Sequence, residues 1–228
     1  MNAIEPDSAR AAAAQALKDE LRAASASFRK RDKRHFLATP DIIYCSFSTP
    51  AFTVASDEAQ RNASRRLYRF GLGEADVRGK RVLDLGSNNG AMLFQLSNFG
   101  PACGFGVEFD AEKVDLARRI AGFGGLTSLE FRQADVDQLE ARDLGPPFDV
   151  VLCLALEAHV QKPKRLYSLL GELTRGKLCF EANASTKPKE VESRLREAGF
   201  VDIRNLGVCD DDIVPRNNRR PIFTALRS

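Results

Sequence analysis

Three acidic residues follow short apolar segments, and their spacing suggests a shared ligand site. Asp84 precedes Gly86 in the stretch DLGSNNG, Glu108 ends GVE, and Asp135 follows SLEFRQ. Glycine lets the backbone approach a ligand closely because it has no Cβ, and N–H groups at a following helix start can donate to that ligand. A carboxylate ahead of the turn suits a ligand with positive charge better than it suits a pyrophosphate.

The elements that must position these acids follow from the pattern after Lys80. Short apolar strands alternate with amphipathic helices, which predicts an α/β fold with a doubly wound, mostly parallel sheet. No helix separates the last two strands, so they should form an antiparallel terminal hairpin. Ligands of such sheets bind beyond the carboxyl ends of the strands, where the three acids should meet. The seven predicted strands are RVLDL, GFGVEF, SLEFRQ, FDVVLCL, KLCFEA, VDIRNLG and PIFTAL.

The part before Lys80 reads differently. An Ala-rich helix is predicted from Ser8 to Arg31, and a second helix from Ser56, with acids in its first turn, to Phe70. Between them, residues 35–52 mix aromatic side chains with Ser, Thr and two prolines. We expect that segment to be a structured loop or lid, in which Tyr44 and Phe47 either close over a ligand or simply pack.

Length and composition limit the class of protein. A chain of 228 residues with 43% hydrophobic residues and a net charge of +3 can form one well-buried α/β domain with additions. The five cysteines are widely spaced, which favours buried thiols over a disulfide framework. The first residues lack a signal-peptide pattern, and no apolar run is long enough to span a bilayer. We therefore expect a cytoplasmic protein with no membrane partner.

The stretch DLGSNNG resembles the first motif of class I S-adenosylmethionine-dependent methyltransferases, with Asn88 in place of the middle glycine. Asparagine is the residue other than glycine that best tolerates left-handed backbone angles. The resemblance extends from Gly79 to Leu226 and includes the acids after the second and third strands. It implies an N-terminal helical and lid region over 1–78 and a Rossmann-like, cofactor-binding catalytic domain over 79–228.

The same resemblance implies S-adenosyl-L-methionine as cofactor and gives roles to particular residues. Glu108 would accept hydrogen bonds from both ribose hydroxyls, Asp135 would face the adenine amino group, and the Val136 N–H would face the ring. The chief alternative is an NAD-binding protein, which the D-x-G-x-x-x-G spacing disfavours. The predicted cofactor-binding residues are Asp84, Gly86, Ser87, Asn88, Gly90, Glu108, Phe109, Asp135, Val136, Cys153 and Tyr44.

Methyl transfer from a sulfonium is an in-line displacement, in which the protein aligns a nucleophile and can remove its proton. His159 and Glu157, in LALEAHVQKP, are the first candidates for that base, and Glu181 after the fifth strand is a third. Each could instead pack, cap a helix or simply end a strand. The acids Asp210–Asp212 could hold a cation or a cationic substrate, or form a solvated loop. No metal site is predicted.

The acceptor is less defined. The place where amino methyltransferases acting on DNA bases carry [DN]-P-P-[YFW] reads LALE, and no Pro-Cys dipeptide typical of cytosine C5 chemistry occurs. The chain is loosely similar to bacterial sugar and small-molecule methyltransferases and to the wobble-uridine carboxymethyl transferase. These features favour O-methylation of a small molecule or saccharide. The alternatives are an RNA-modifying enzyme that uses the basic segments 28–34 and 216–220, and a catalytically silent cofactor-binding partner protein.

Overall fold

The computed structural model describes residues 6–31 and 42–228. Residues 1–5 and 32–41 lie outside the described residues, and the second range includes part of the basic segment 28–34 and part of the predicted lid. The N-terminal part begins with a long helix, as expected, and continues into a three-stranded sheet of order β2-β1-β3. Strand β1 is antiparallel to β2 and parallel to β3. The elements are α1 (Pro6–Arg31), β1 (Ile43–Ser48), β2 (Thr53–Val54), β3 (Ala59–Asn62), α2 (Ala63–Arg69) and α3 (Glu74–Val77).

This small sheet corrects two predictions. The expected loop over residues 35–52 contains β1, with β2 directly after it, and the expected helix from Ser56 to Phe70 is divided into a 3-10 turn, β3 and α2. Glu58 accepts a hydrogen bond from the N–H of Ala55. The acidic residues that predicted the start of a long helix therefore belong only to the short 3-10 turn. Asn62 is the cap of α2 and accepts from the N–H of Arg65 at 2.8 Å. Pairing of β3 with β1 outweighs local helix propensity, which is a weak preference.

The main sheet has the predicted seven strands, in the order β6-β5-β4-β7-β8-β10-β9. The first five are parallel to one another, and β10 runs antiparallel to both β8 and β9. The mostly parallel sheet with an antiparallel terminal pair is thereby confirmed. The strands are β4 (Arg81–Leu85), β5 (Cys103–Glu108), β6 (Leu129–Gln133), β7 (Phe148–Leu154), β8 (Thr174–Glu181), β9 (Phe200–Val208) and β10 (Pro221–Arg227).

Both faces of this sheet are covered, since successive residues of a strand point to opposite sides. In β7, Val150 and Leu152 join a core with α4, α5 and the N-terminal elements, whereas Val151 and Cys153 join a core with α6 and α7. The N-terminal part therefore shares a hydrophobic core with one face of the sheet. The helices are α4 (Ala91–Ser97), α5 (Ala111–Gly124), α6 (Pro163–Leu173) and α7 (Pro188–Glu197).

The five cysteines are free thiols, and all except Cys103 are buried. Within residues 6–31 and 42–228, no helix combines the length and the apolar character needed to cross a bilayer.

Candidate functional site

A cavity of about 620 Å³ lies at the carboxyl ends of β4, β5, β6 and β7. Pockets for small molecules are roughly 300–1,000 Å³, so a nucleotide-sized ligand fits the range. The cavity therefore lies at the edge of the sheet where the sequence predicted a ligand site. The predicted site residues that line it are Tyr44, Gly86, Asn88, Glu108, Phe109, Asp135, Val136 and His159.

The other predicted residues lie behind this lining. Asp84, Ser87 and Gly90 are buried in the β4 strand end and the turn that follows it, and Cys153 is fully buried in β7. The structure therefore brings the turn and the acids of β5 and β6 together around one space. It keeps the side chain of Cys153 within the core under the sheet.

Left-handed backbone angles shape the turn after β4. Asn88 has a φ of 52°, the conformation expected of a residue that takes the place of glycine. Gly90 has a φ of 86°, and a Cβ there would stand 2.7 Å from a ring carbon of Phe131. A side chain at position 90 would therefore clash with the core as well as strain the backbone.

Two backbone N–H groups hold the carboxylate of Glu108 at the cavity wall. The N–H of Asn88 donates to Oε2 at 2.8 Å, and the N–H of Asp110 donates to Oε1 at 3.1 Å. Each carboxylate oxygen has two lone pairs, so each oxygen retains one acceptor position. Glu108 can accordingly accept from two neighbouring hydroxyl groups on one ligand.

The loop after β6 is ordered by its own acids. Asp135 accepts from the N–H of Asp137 at 2.9 Å and from the Gln138 side chain at 3.2 Å. The Asp137 carboxylate accepts from the N–H groups of Gln161 and Lys162, at 2.7 and 2.9 Å. This fastens the loop that carries His159 to the loop that carries Asp135. We call Asn88, Glu108 and Asp135 the strand-end wall of the cavity.

Buried polar atoms without a partner cluster in the turn after β4. Within the described part of the chain they include Asp84 Oδ2, Ser87 Oγ and Asn89 Oδ1. Burial, opposed by Arg66 and reinforced by Glu108, raises the pKa of the Asp84 carboxyl to about 7. Unpaired buried polar groups are rare in proteins because they lose water without compensation. A positive charge bound in the adjoining cavity would favour the ionised form of Asp84.

The three candidate bases differ in position. His159 lines the cavity, whereas Glu157 and Glu181 are buried away from it. Glu157 pairs with Arg194 and accepts from the hydroxyl of Tyr167 at 3.3 Å.

Glu181 is fully buried and pairs with Arg61, Arg66 and Arg220. Burial alone would raise the pKa of Glu181, but the arginines outweigh it and lower that pKa to about 2. A carboxylate that is so strongly ionised is a weak base.

Sequence reasoning named Asp212 and the basic segment 216–220 separately, but it missed Gln60 and the way these residues meet in a second wall of the same cavity. We call it the hairpin wall: Gln60 from β3 with Asp212, Asn217 and Arg220 from the segment between β9 and β10. The Gln60 amide donates to both oxygens of Asp212, at 3.1 and 3.2 Å. The one feature of the sequence that could have indicated this wall was the charge complementarity between the acids Asp210–Asp212 and arginines far from them in the chain.

The expectation of a solvated acidic loop at Asp210–Asp212 needs correction for two of its members. Asp211 and Asp212 are buried, because Arg61 lies between them, 2.9 Å from Asp211 and 3.5 Å from Asp212. Burial is outweighed by Arg66 and Arg61, which hold the pKa of Asp211 well below its usual value. Asp210 alone is exposed, and it pairs with Arg65. No group of acidic, His or Cys side chains in 6–31 and 42–228 could hold a metal ion.

Comparison with known proteins gives this geometry a context. A family model described as a methyltransferase domain matches residues 76–203, more than half of the 228-residue chain. The chain is 28% identical to the ribosomal protein L11 methyltransferase of Deinococcus radiodurans, over 63% of this chain and 53% of that protein. It is 28% identical to a ubiquinone biosynthesis O-methyltransferase of Neisseria meningitidis, over 51% of this chain and 49% of that protein.

A tRNA U34 carboxymethyltransferase of Desulfotalea psychrophila is 28% identical over 52% of this chain and 37% of that protein. The chain spans about half the length, or less, of these curated relatives. Among solved structures, magnesium protoporphyrin IX methyltransferase from Synechocystis aligns with a TM-score of 0.59 and 22% identity. That alignment covers 72% of this chain and 77% of the other, and it shows a shared fold.

Proposed function

Because the chain belongs to the methyltransferase-domain family, we propose that it is an S-adenosylmethionine-dependent methyltransferase. Its acceptor is an oxygen atom of a small molecule or saccharide. The observation that carries the proposal is the strand-end wall, where backbone N–H groups fix Glu108 with both oxygens still able to accept. Vicinal ribose hydroxyls are the matching donors, and such charge-assisted bonds contribute roughly 1.5–3 kcal/mol each.

The residues around the cavity fit the remaining parts of that cofactor. Asp135 and the Val136 N–H would hold the adenine end, and Phe109, which is 70% exposed at the rim, offers a ring face. The unpaired oxygens of Asp84 and Ser87 lie at the turn, where a cationic ligand would stabilise the ionised acid. S-adenosylmethionine supplies the electrophilic methyl group when bound.

The chain's part in the reaction is alignment and proton removal. His159 is the candidate base that lines the cavity, and its usual pKa suits proton transfer near neutral pH. Glu157 and Glu181 would then hold the surrounding loops through Arg194 and Arg220. Alignment of the acceptor oxygen can contribute roughly 7–11 kcal/mol to the rate.

The two predicted regions take different parts in this proposal. Residues 79–228 would bind the cofactor, and the described residues of the region 1–78 contribute Ala24, Tyr44 and Gln60 to the lining of the cavity. The saccharide acceptor and the cytoplasmic location stay predictions.

The similarity to a tRNA-modifying protein supports one alternative, an RNA acceptor. Binding would then depend on phosphate contacts and fall steeply with salt. Titration of unmodified tRNA at low and high salt tests it, and binding that is absent or insensitive to salt would remove this alternative.

Calorimetric titration with S-adenosylhomocysteine and with NAD tests the proposal directly. The expected result is binding of S-adenosylhomocysteine alone, and binding of NAD alone would overturn the proposal. Incubation with S-adenosylmethionine and fractionated metabolites should then yield a product heavier by one CH₂ group. His159→Ala should slow its formation roughly 10²–10⁴-fold at unchanged cofactor affinity, whereas full activity in this variant would remove His159 as the base.

A further inference from the structure

Arg220 differs from the buried Arg61 and Arg66 because it is partly exposed and lines the cavity. Its side chain is 12% exposed, and it stands next to the first residue of β10. Nη1 donates to Glu181 at 3.1 Å, and Nη2 donates to Asn217 at 3.1 Å. A guanidinium has five N–H donors, so most of its donors are available for a ligand.

The charge of Arg220 is less compensated than that of its neighbour Arg61. Arg61 lies within 3.5 Å of three carboxylates, those of Glu181, Asp211 and Asp212. Among the described residues, Arg220 pairs with the carboxylate of Glu181 alone.

Arg66 shares that carboxylate too, and has Asp211 at 3.9 Å as a second partner. Glu181 thus divides one negative charge among three arginines. Three carboxylates balance the three arginines in total, and Arg220, the member of the trio that lines the cavity, is the one with a single carboxylate partner.

Arg220 is also held in place before any ligand arrives. The Asn217 side chain that accepts from it donates to Asp212 Oδ2 at 2.8 Å. The Arg220 carbonyl accepts from the N–H of Cys209 at 2.9 Å. A fixed, planar fork of donors matches a carboxylate in geometry as well as in charge.

We propose that Arg220 binds a carboxylate inside the reaction cavity, an inference that rests on the proposed function. Two molecules could bring this group: the amino-acid end of the cofactor, or a methyl acceptor that is itself a hydroxylated acid. Either source places the anion on the hairpin wall of the cavity that Glu108 also lines.

Binding of two adenosyl ligands to the full chain separates these sources. S-adenosylhomocysteine carries the carboxylate, whereas methylthioadenosine lacks the whole amino-acid end. The variants are Arg220→Gln, Arg220→Lys, which keeps the charge without the fork, and Arg219→Gln, which makes the same charge change at an exposed neighbour. Glu181 keeps Arg61 and Arg66 in each variant, and a melting curve checks the fold.

If the cofactor supplies the carboxylate, Arg220→Gln weakens S-adenosylhomocysteine about ten- to a hundredfold and leaves methylthioadenosine unchanged. Arg219→Gln changes neither ligand, and Arg220→Lys falls between. If the acceptor supplies it, Arg220→Gln leaves both ligands unchanged.

In that second case, the protein saturated with S-adenosylhomocysteine binds glucuronate at least about tenfold more tightly than glucose, or para-hydroxybenzoate at least about tenfold more tightly than phenol. Arg220→Gln removes this preference for the acid. No effect of Arg220→Gln in either arm overturns the inference while leaving the proposed function intact. Failure of the wild-type protein to bind S-adenosylhomocysteine would instead reject the proposed function.

Discussion

The two walls of the cavity are built by different physical means. In the strand-end wall, backbone N–H groups hold Glu108, and the buried Asp84 beneath it keeps an unpaired oxygen and a pKa of about 7. In the hairpin wall and the network behind it, every buried acid has a charged or amide partner, and the pKa of Glu181 falls to about 2. The turn beneath the first wall contains buried polar atoms without a partner, whereas the buried carboxylates of the second are all paired within the protein, which leaves Arg220 as the side chain there that retains donors for a ligand.

The two walls therefore differ in whether their residues mainly bind a ligand or mainly stabilise the fold. In the strand-end wall, the bonded residues Asn88 and Glu108 are about 20 residues apart along the chain. They follow neighbouring strands of a parallel sheet whose formation does not depend on the residues in its loops. The hairpin wall joins β3 to the segment before β10 across about 150 residues, through charges that need each other. We therefore expect substitutions in the first wall to affect cofactor affinity, and substitutions in the buried network behind the second wall, which is centred on Arg61, to affect folding first.

The largest effect is expected for Arg61→Met. The substitution leaves Glu181, Asp211 and Asp212 buried with less compensation, and breaking such a network costs roughly 3–5 kcal/mol of unfolding free energy. Urea denaturation would measure it. The control is Arg65→Met, which breaks the exposed pair with Asp210 and should cost at most about 1 kcal/mol. Equal losses in the two variants would show that the network is not a stability element.

A pH-dependent effect is expected for Asp84→Asn. Because the folded-state pKa of Asp84 is raised, the folded protein binds its proton more tightly than the unfolded chain does, and wild-type stability falls as pH rises from about 4 to about 7. The amide side chain of the variant cannot ionise, so the variant gains relative to wild type by up to about 1.4 kcal/mol per pH unit in that window.

Urea denaturation of the cofactor-free protein at several pH values would check this. A stability difference between wild type and Asp84→Asn that does not change with pH would contradict the raised pKa of a buried acid beneath the strand-end wall.

A smaller effect is expected for Asp137→Ala, which cuts the tie between the strand-end wall and the loop of His159. Two N–H groups ahead of α6 lose their acceptor, at a cost of about 1–2 kcal/mol of unfolding free energy. Hydrogen exchange should show faster exchange at the N–H groups of Gln161 and Lys162 specifically, with Asp137→Asn intermediate. Unchanged protection there would mean that the tie is not formed in solution.

The sequence predicted the strand-end wall better than the hairpin wall. Apolar periodicity predicted all seven strands of the main sheet, and the ends of the first two strands put Gly86, Asn88 and Glu108 at one edge, where all three line one cavity. The roles given to these residues stay predictions. The predicted order of strands and helices was enough to locate the cavity, because ligand sites of parallel sheets lie at the carboxyl ends of the strands.

What the sequence did not reveal depends on contacts between distant segments. β3 was predicted as helix because its local signal is a capping pattern, whereas its pairing with β1 and the burial of Arg61 decide its conformation. Asp211 and Asp212 were expected on a rim for the same reason. Buried ion pairs depend on which charges the fold brings together, and no short pattern encodes that.

The smallest effect is expected at Asn88. Asn88→Gly keeps the left-handed angle and the N–H that holds Glu108, so affinity for S-adenosylhomocysteine should stay within about twofold of wild type. Asn88→Val should weaken binding more, because a β-branched residue resists that angle. Calorimetry compares the two variants, and equal affinities would show that the turn geometry does not govern the site.

The central claim is that Glu108 holds the ribose of an adenosyl cofactor, and its most direct test is the affinity of Glu108→Ala for S-adenosylhomocysteine. The matched control is Glu112→Ala, an exposed acid in the first turn of α5. The account predicts at least about a tenfold loss for Glu108→Ala and no change for the control. Wild-type affinity in Glu108→Ala would contradict it.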